Sequence, residues 1–144
     1  KAIKAKYNNK YTGISSYHKQ MWNSYKRTPV ETPSGRKNMA RLGTDAINFA
    51  TQGCIADTTK LSVHYLCREY PEAVKYIFNI VHDAIYLRIP KGDEELWADR
   101  MIVAMKKGWD EMCKFPMLHY KDIPMPVEAE WIDPETGEHM DKEV

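Results

Sequence analysis

The run that most constrains this chain is Ile77-Phe78-Asn79-Ile80-Val81-His82-Asp83-Ala84-Ile85-Tyr86-Leu87. Two apolar, β-prone segments meet at a His-Asp pair, and no Gly, Pro or Asn stands at the junction to build an ordinary loop. The simplest geometry is a tight hairpin with Asp83 at or beside its tip. A carboxylate held on a rigid two-strand turn suits a hard divalent cation such as Mg2+, which takes oxygen ligands. Asp83 reads equally as a polar turn residue, and this segment alone leaves both readings open.

Punctuation residues divide the rest of the chain. Residues 1–10 read as the end of a helix. Thr12 can cap a second helix, with Ile14, Tyr17, Met21, Trp22 and Tyr25 at mixed three-and-four spacing, ended by Thr28-Pro29. Val30–Thr32, a Pro33-Ser34-Gly35 turn and Arg36–Leu42 read as a hairpin. A long amphipathic helix is predicted from Thr44 to about Glu69, closed by Tyr70-Pro71. Gly53 in its middle costs about 1 kcal/mol relative to Ala, which a close approach of another backbone or of a ligand would explain. After the central hairpin, Asp93 is placed to cap a helix reaching about Lys114, with Leu96, Met101, Met105, Trp109 and Met112 near one face as core. Pro124–Trp131 reads as an edge strand, and the acidic, apolar-poor residues 132–144 as a frayed tail. The order helix, hairpin, helix, hairpin, helix, strand gives an α+β layer: a small antiparallel sheet with helices packed on one face.

A length of 144 residues is that of one ordinary domain with a sizeable core. No apolar run approaches membrane-spanning length, so no membrane role is expected. Cys54, Cys67 and Cys113 are isolated and read as reduced thiols of a cytoplasmic protein, not as a disulfide frame or zinc site. The net charge of +1 hides a split: residues 1–60 carry +8 and residues 61–144 carry −7. A basic half of this kind can follow a phosphate backbone. The lysines read equally as a solvated surface.

A second segment, Ala46-Ile47-Asn48-Phe49-Ala50-Thr51-Gln52-Gly53-Cys54-Ile55-Ala56-Asp57, lies upstream of Val81-His82-Asp83. Together they resemble the C-terminal part of family A DNA polymerases, the DNA polymerase I type. That family carries an A-I-N-x-x-x-Q-G-x-x-A-D helix and then a V-H-D hairpin at about this spacing. Val30-Glu31-Thr32-Pro33-Ser34-Gly35-Arg36 is similar to the family's V-E-T-x-x-G-R hairpin. Lys6-Tyr7 through Tyr11-Thr12-Gly13-Ile14 is similar to its Y-x-x-x-Y-P-G segment, with Thr12 where Pro is usual. The resemblance covers residues 1–131 and implies the palm's C-terminal portion with the adjoining fingers-palm junction.

The resemblance implies roles residue by residue. Asp83 would be one of two aspartates holding two Mg2+ ions, and His82 would help hold the primer terminus or be bonded within its turn. Asn48 and Gln52, at i and i+4, share a helix face. Their amides both donate and accept, and would read the minor-groove acceptors common to all paired bases, or pack as polar residues between helix and sheet. Lys26, Arg27, Arg36, Lys37 and Arg41 would contact phosphates or be ordinary surface charge. Asp57 fits a structural helix residue that caps or forms a salt bridge. The chain departs from the pattern at Ala84, where the family commonly has Glu, at Ile80, where many members carry Gln, and at Thr44, where a basic residue is frequent.

The family's other catalytic aspartate, in a D-Y-S-like motif, and its nucleotide-binding helix have no counterpart in this sequence. The expected function is therefore part of a DNA-directed DNA polymerase, inactive alone. Its expected partners are primer-template DNA, a dNTP and the complementary N-terminal polymerase segment. A start at Lys1 without Met fits a piece of a longer protein or one polypeptide of a split enzyme. The rival reading is a non-catalytic nucleic-acid-binding or accessory module with a palm-like fold.

Overall fold

The computed structural model describes residues 2–118, 123–133 and 135–144, with Ala2 described in its backbone only. Two compact units divide the chain, Lys1–Cys54 and Ile55–Val144. The fold is α+β, and among the described residues its strands pair into three separate two-stranded antiparallel sheets. The single small sheet expected from the sequence is thus replaced by three hairpins.

The first unit holds helices α1 (Ala2–Lys10) and α2 (Thr12–Ser24), strands β1 (Val30–Glu31) and β2 (Lys37–Asn38), and the start of α3 (Gly43–Glu69). Tyr11, not Thr12, occupies the cap position of α2, and it makes no side-chain capping bond. Tyr17 donates its hydroxyl to the Ile47 carbonyl at 2.9 Å, and burial raises its pKa above the usual phenol value. The Trp22 ring lies where a Cβ on Gly43 would stand, so the helix start accepts only glycine there. Asp45 closes the same helix start by accepting the Leu42 N–H at 3.3 Å.

The β1–β2 turn is built by its own polar groups. The Thr32 N–H donates to the Arg36 carbonyl, and the Gly35 N–H donates to the Thr32 carbonyl, both at 2.9 Å. Thr32 Oγ1 lies 2.9 Å from Ser34 Oγ and accepts the Arg36 N–H at 3.2 Å. Gly35 takes a φ of 89°, the left-handed conformation that favours glycine. Thr32 is fully buried against α3, and an ideal Cβ on Gly53 would sit 2.3 Å from its Cγ2. The close approach expected at Gly53 is therefore that of a hairpin side chain.

The second unit contains the remainder of α3, a 3-10 turn (Pro71–Lys75), β3 (Ile77–Val81), β4 (Ala84–Leu87), α4 (Glu94–Met112), β5 (Glu128–Ile132) and β6 (His139–Glu143). Its core gathers Leu66, Ala73, Trp97 and Ala104, with Tyr70, Tyr76, Ile77, Leu87 and Met101 packed around them. The Tyr76 ring meets Trp97 edge-on at 5.0 Å, and the Arg100 guanidinium lies 4.6 Å from the Trp97 ring and 4.5 Å from Tyr70. Arg100 also pairs with Glu72 at 3.0 Å. Helices α3 and α4 touch at Ser62 and Gly108, where a Cβ on the glycine would stand 2.7 Å from the Ser62 backbone nitrogen.

Along α4 the buried stripe is Trp97, Ala98, Ile102, Ala104, Gly108 and Met112, while Leu96 is exposed. Met101 and Met112 of the expected face do lie inward, whereas Leu96 does not, and small residues complete the face, Gly108 among them against Ser62 of α3. Asp93 makes no side-chain cap; Glu94 instead accepts the Gly92 N–H at 2.8 Å.

Residues 132–144, expected to fray, carry β6, which pairs with β5 from Glu128↔Glu143 to Ile132↔His139. The strand begins beyond the prolines of the 124–131 segment, where the backbone N–H groups needed for the ladder are present. Asp133 accepts the N–H groups of Glu135 and Thr136 at 2.7 and 3.1 Å, and Lys142 pairs with Asp99 of α4 at 2.6 Å. Composition alone misreads this segment because a strand's stability resides in its partner.

Candidate nucleic-acid and metal-ligating residues

The residues singled out by the sequence fall into two groups, one in each compact unit. In the second unit, β3 and β4 pair with Val81 opposite Ala84, so His82 and Asp83 are the two loop residues of the hairpin. Both side chains are exposed. Two-residue hairpin loops require positive φ, and Gly or Asn normally supplies it. Here His82 does, at φ 56°, the only non-glycine residue with positive φ among those described. Such a conformation costs an ordinary residue roughly 1–2 kcal/mol.

The hairpin holds this strained tip because its base is anchored. Ile85 is buried, Ile77 and Leu87 pack on the Trp97 core, and the Arg88 N–H donates to the Tyr76 carbonyl at 2.8 Å. A register shift at Ile77/Asn79 leaves Phe78 two-thirds exposed, edge-on to the half-exposed Tyr86 at 6.0 Å.

Asp83 offers one accessible hard oxygen ligand. No group of three or more His, Cys, Asp or Glu side chains converges to hold a metal among the described residues. A single carboxylate is fewer oxygen ligands than a divalent cation takes. Asp57 is mostly buried and lies 3.6 Å from Lys60, one turn along α3, which is the salt-bridging role expected of it.

In the first unit, Asn48 and Gln52 are both exposed on α3, on the one face that their i, i+4 spacing implies. Arg36 reaches α3 beside them, at Phe49 and Gly53. Its Nη2 donates to the Gly53 carbonyl at 3.3 Å, and its guanidinium lies 5.2 Å from the Phe49 ring. Arg36 thus fastens the hairpin to the helix, a role the sequence reading did not assign. Phe49 and Gly53, one turn apart beside Gln52, are the signal that marks its landing place. Arg41 is exposed at the entrance to α3.

Comparison with family models, with curated proteins and with solved structures gives no match. No helix among the described residues is long and apolar enough to cross a membrane.

Proposed function

We propose that this chain is the C-terminal palm portion of a family A DNA polymerase, working with a complementary segment on primer-template DNA and a dNTP. The observation that carries the reading is the two-residue loop of the β3–β4 hairpin, with His82 held at positive φ and Asp83 exposed beside it. Non-glycine residues in such conformations concentrate at functional sites, where surrounding structure over-determines them. The four motif matches give that loop its chemistry.

In this reading Asp83 is a ligand for Mg2+, and the second carboxylate comes from the complementary segment. When bound, the metal would supply Lewis acidity toward the primer 3′-oxygen and charge neutralisation at the phosphates. The protein's own residues position the primer terminus. His82 stands beside Asp83 on the rigid hairpin. Asn48 and Gln52 present amides suited to purine N3 and pyrimidine O2 in the minor groove. Arg41 and the other basic residues of the first sixty provide the sequence-independent phosphate attraction.

The test is primer extension by the chain reconstituted with a polypeptide bearing the D-Y-S-like motif and the nucleotide-binding helix. Asp83→Asn is expected to abolish extension while primer-template affinity stays within about twofold, since phosphates supply most of the binding. Wild-type extension by Asp83→Asn would remove the assignment. Unchanged DNA binding with no extension by the wild-type mixture would favour the accessory-module reading instead.

A further inference from the structure

The first thirty residues contain six Lys and one Arg and no acidic residue. Within them α1 is exposed almost along its whole length. Tyr7 on α1 and Tyr11, the residue just past its end, are four apart, the Tyr11 N–H donating to the Tyr7 carbonyl at 2.9 Å, and both are half-exposed, at 50% and 45%. Their ring centroids are 4.9 Å apart and the planes are tilted by 51°, so the rings do not cover one another face to face. Lys10 Nζ lies 5.4 Å from the Tyr11 ring centroid, and Lys4 and Lys6 are exposed on the preceding turns.

We propose that this face of α1 binds single-stranded nucleic acid, with bases stacking on Tyr7 and Tyr11 and Lys4, Lys6 and Lys10 holding the adjoining phosphates. Charge complementarity names a polyanion, and the absence of any acid over thirty residues removes the repulsion that a mixed surface would impose. The tyrosines narrow the polyanion to one with accessible base faces. In a duplex those faces are covered by neighbouring pairs, whereas an unstacked strand offers each base to an aromatic ring. A membrane surface is the poorer occupant: a nine-residue helix exposing Ile3 and Tyr7, with Tyr11 just beyond its end, buries little hydrocarbon. This proposal uses none of the β3–β4 hairpin's residues and does not depend on Asp83 binding a metal.

The test is fluorescence anisotropy of the full chain with a labelled oligo-dT of about 15 nucleotides, a length that covers sites of this kind. An abasic strand of equal length and charge is the control. Wild type is expected to bind oligo-dT about tenfold tighter than the abasic strand, the stacking contribution of one or two bases. Tyr7→Ala/Tyr11→Ala should reduce oligo-dT affinity to the abasic level and leave abasic binding unchanged. Alanine favours the helix, so α1 persists in this variant, and Tyr7→Phe/Tyr11→Phe should keep the preference. Lys6→Gln/Lys10→Gln should weaken both strands and flatten the salt dependence. Equal wild-type affinity for the two strands would overturn the proposal. So would tyrosine-dependent binding to phosphatidylserine vesicles without preference between the strands. Asp83→Asn should bind oligo-dT as wild type does, so this result and the polymerase test fail independently.

Discussion

Gly53→Ala is the sharpest probe of how the first unit is built. In an open helix the change stabilises by about 1 kcal/mol through backbone entropy. Here the new methyl would stand 2.3 Å from Thr32 Cγ2 and 3.1 Å from Arg36 Nη2. Arg36 Nη2 is the far end of a flexible side chain and can give way. Thr32 cannot, because it is fully buried and its hydroxyl is engaged with Ser34 and the Arg36 N–H. Overpacking of this kind costs about 1–3 kcal/mol, so Gly53→Ala is expected to destabilise by about 1 kcal/mol net. Thr32→Ser removes the obstructing methyl and keeps the hydroxyl, at a cost of about 1 kcal/mol for the lost buried group. In that background Gly53→Ala should change sign and stabilise. Urea unfolding of the four proteins followed by circular dichroism, compared at unchanged m, gives a coupling of at least about 1 kcal/mol. Additive effects, or stabilisation by Gly53→Ala alone, would refute the packing. Gly108→Ala is the internal contrast: its Cβ meets the backbone nitrogen and Cα of Ser62 as well as Oγ, so Ser62→Ala should not rescue it.

Three further outcomes are expected. His82→Gly should stabilise the chain by about 1 kcal/mol by relieving the positive φ, while lowering primer extension in the reconstituted enzyme; destabilisation in urea would show that the turn carries no strain. Glu111 is held below its ordinary 4.5 by hydrogen bonds from Lys114 and Tyr65, so its contribution is full above that pH and is lost as the pH falls through the lowered value. Glu111→Gln should therefore lose less stability than wild type between about pH 5 and pH 3, and equal loss would count against the bond. Trp97→Ala, which empties the centre of the second unit's core, should cost about 3–5 kcal/mol in urea unfolding, and a loss under 1 kcal/mol would show that the ring is not the core's keystone.

The parts of the fold that were legible in the sequence are those with local causes. The long helix was predicted from Thr44 to Glu69 and runs from Gly43 to Glu69, because Tyr70-Pro71 stops it and Asp45 secures its start. The β3–β4 tip was legible because the apolar runs left only His82 and Asp83 for the turn. No Gly or Asn stands there to take the positive φ, which falls on His82. Pairing beyond adjacent strands was not legible, since it depends on which surfaces meet, and one expected sheet became three hairpins. The C-terminal strand had a local sign that acidity concealed. Asp133 and Gly137 carry turn chemistry, an Asp side chain accepting N–H groups two and three residues on and a glycine at φ 72°. Among the candidate site residues, the shared face of Asn48 and Gln52 followed from helical spacing, whereas their exposure and the landing of Arg36 on Gly53 required the fold.

The hairpin's energetics bear on why Asp83 stands where it does. An isolated two-stranded hairpin is marginal in water, and this one also carries the cost of His82 at positive φ. Its stability must come from its base, where Ile85 is buried and Ile77 and Leu87 lie against the core that contains Trp97. The tip contributes no burial of its own: His82 and Asp83 face solvent, and Phe78, Ile80, Val81 and Tyr86 are each more than two-fifths exposed. A turn selected for stability alone would carry Gly at the first of these two positions, where the positive φ falls. The chain instead keeps a side chain that resists the required backbone, next to a carboxylate that needs no partner to fold. The core therefore supports a conformation that costs an ordinary side chain energy, at a tip that gains no burial in return.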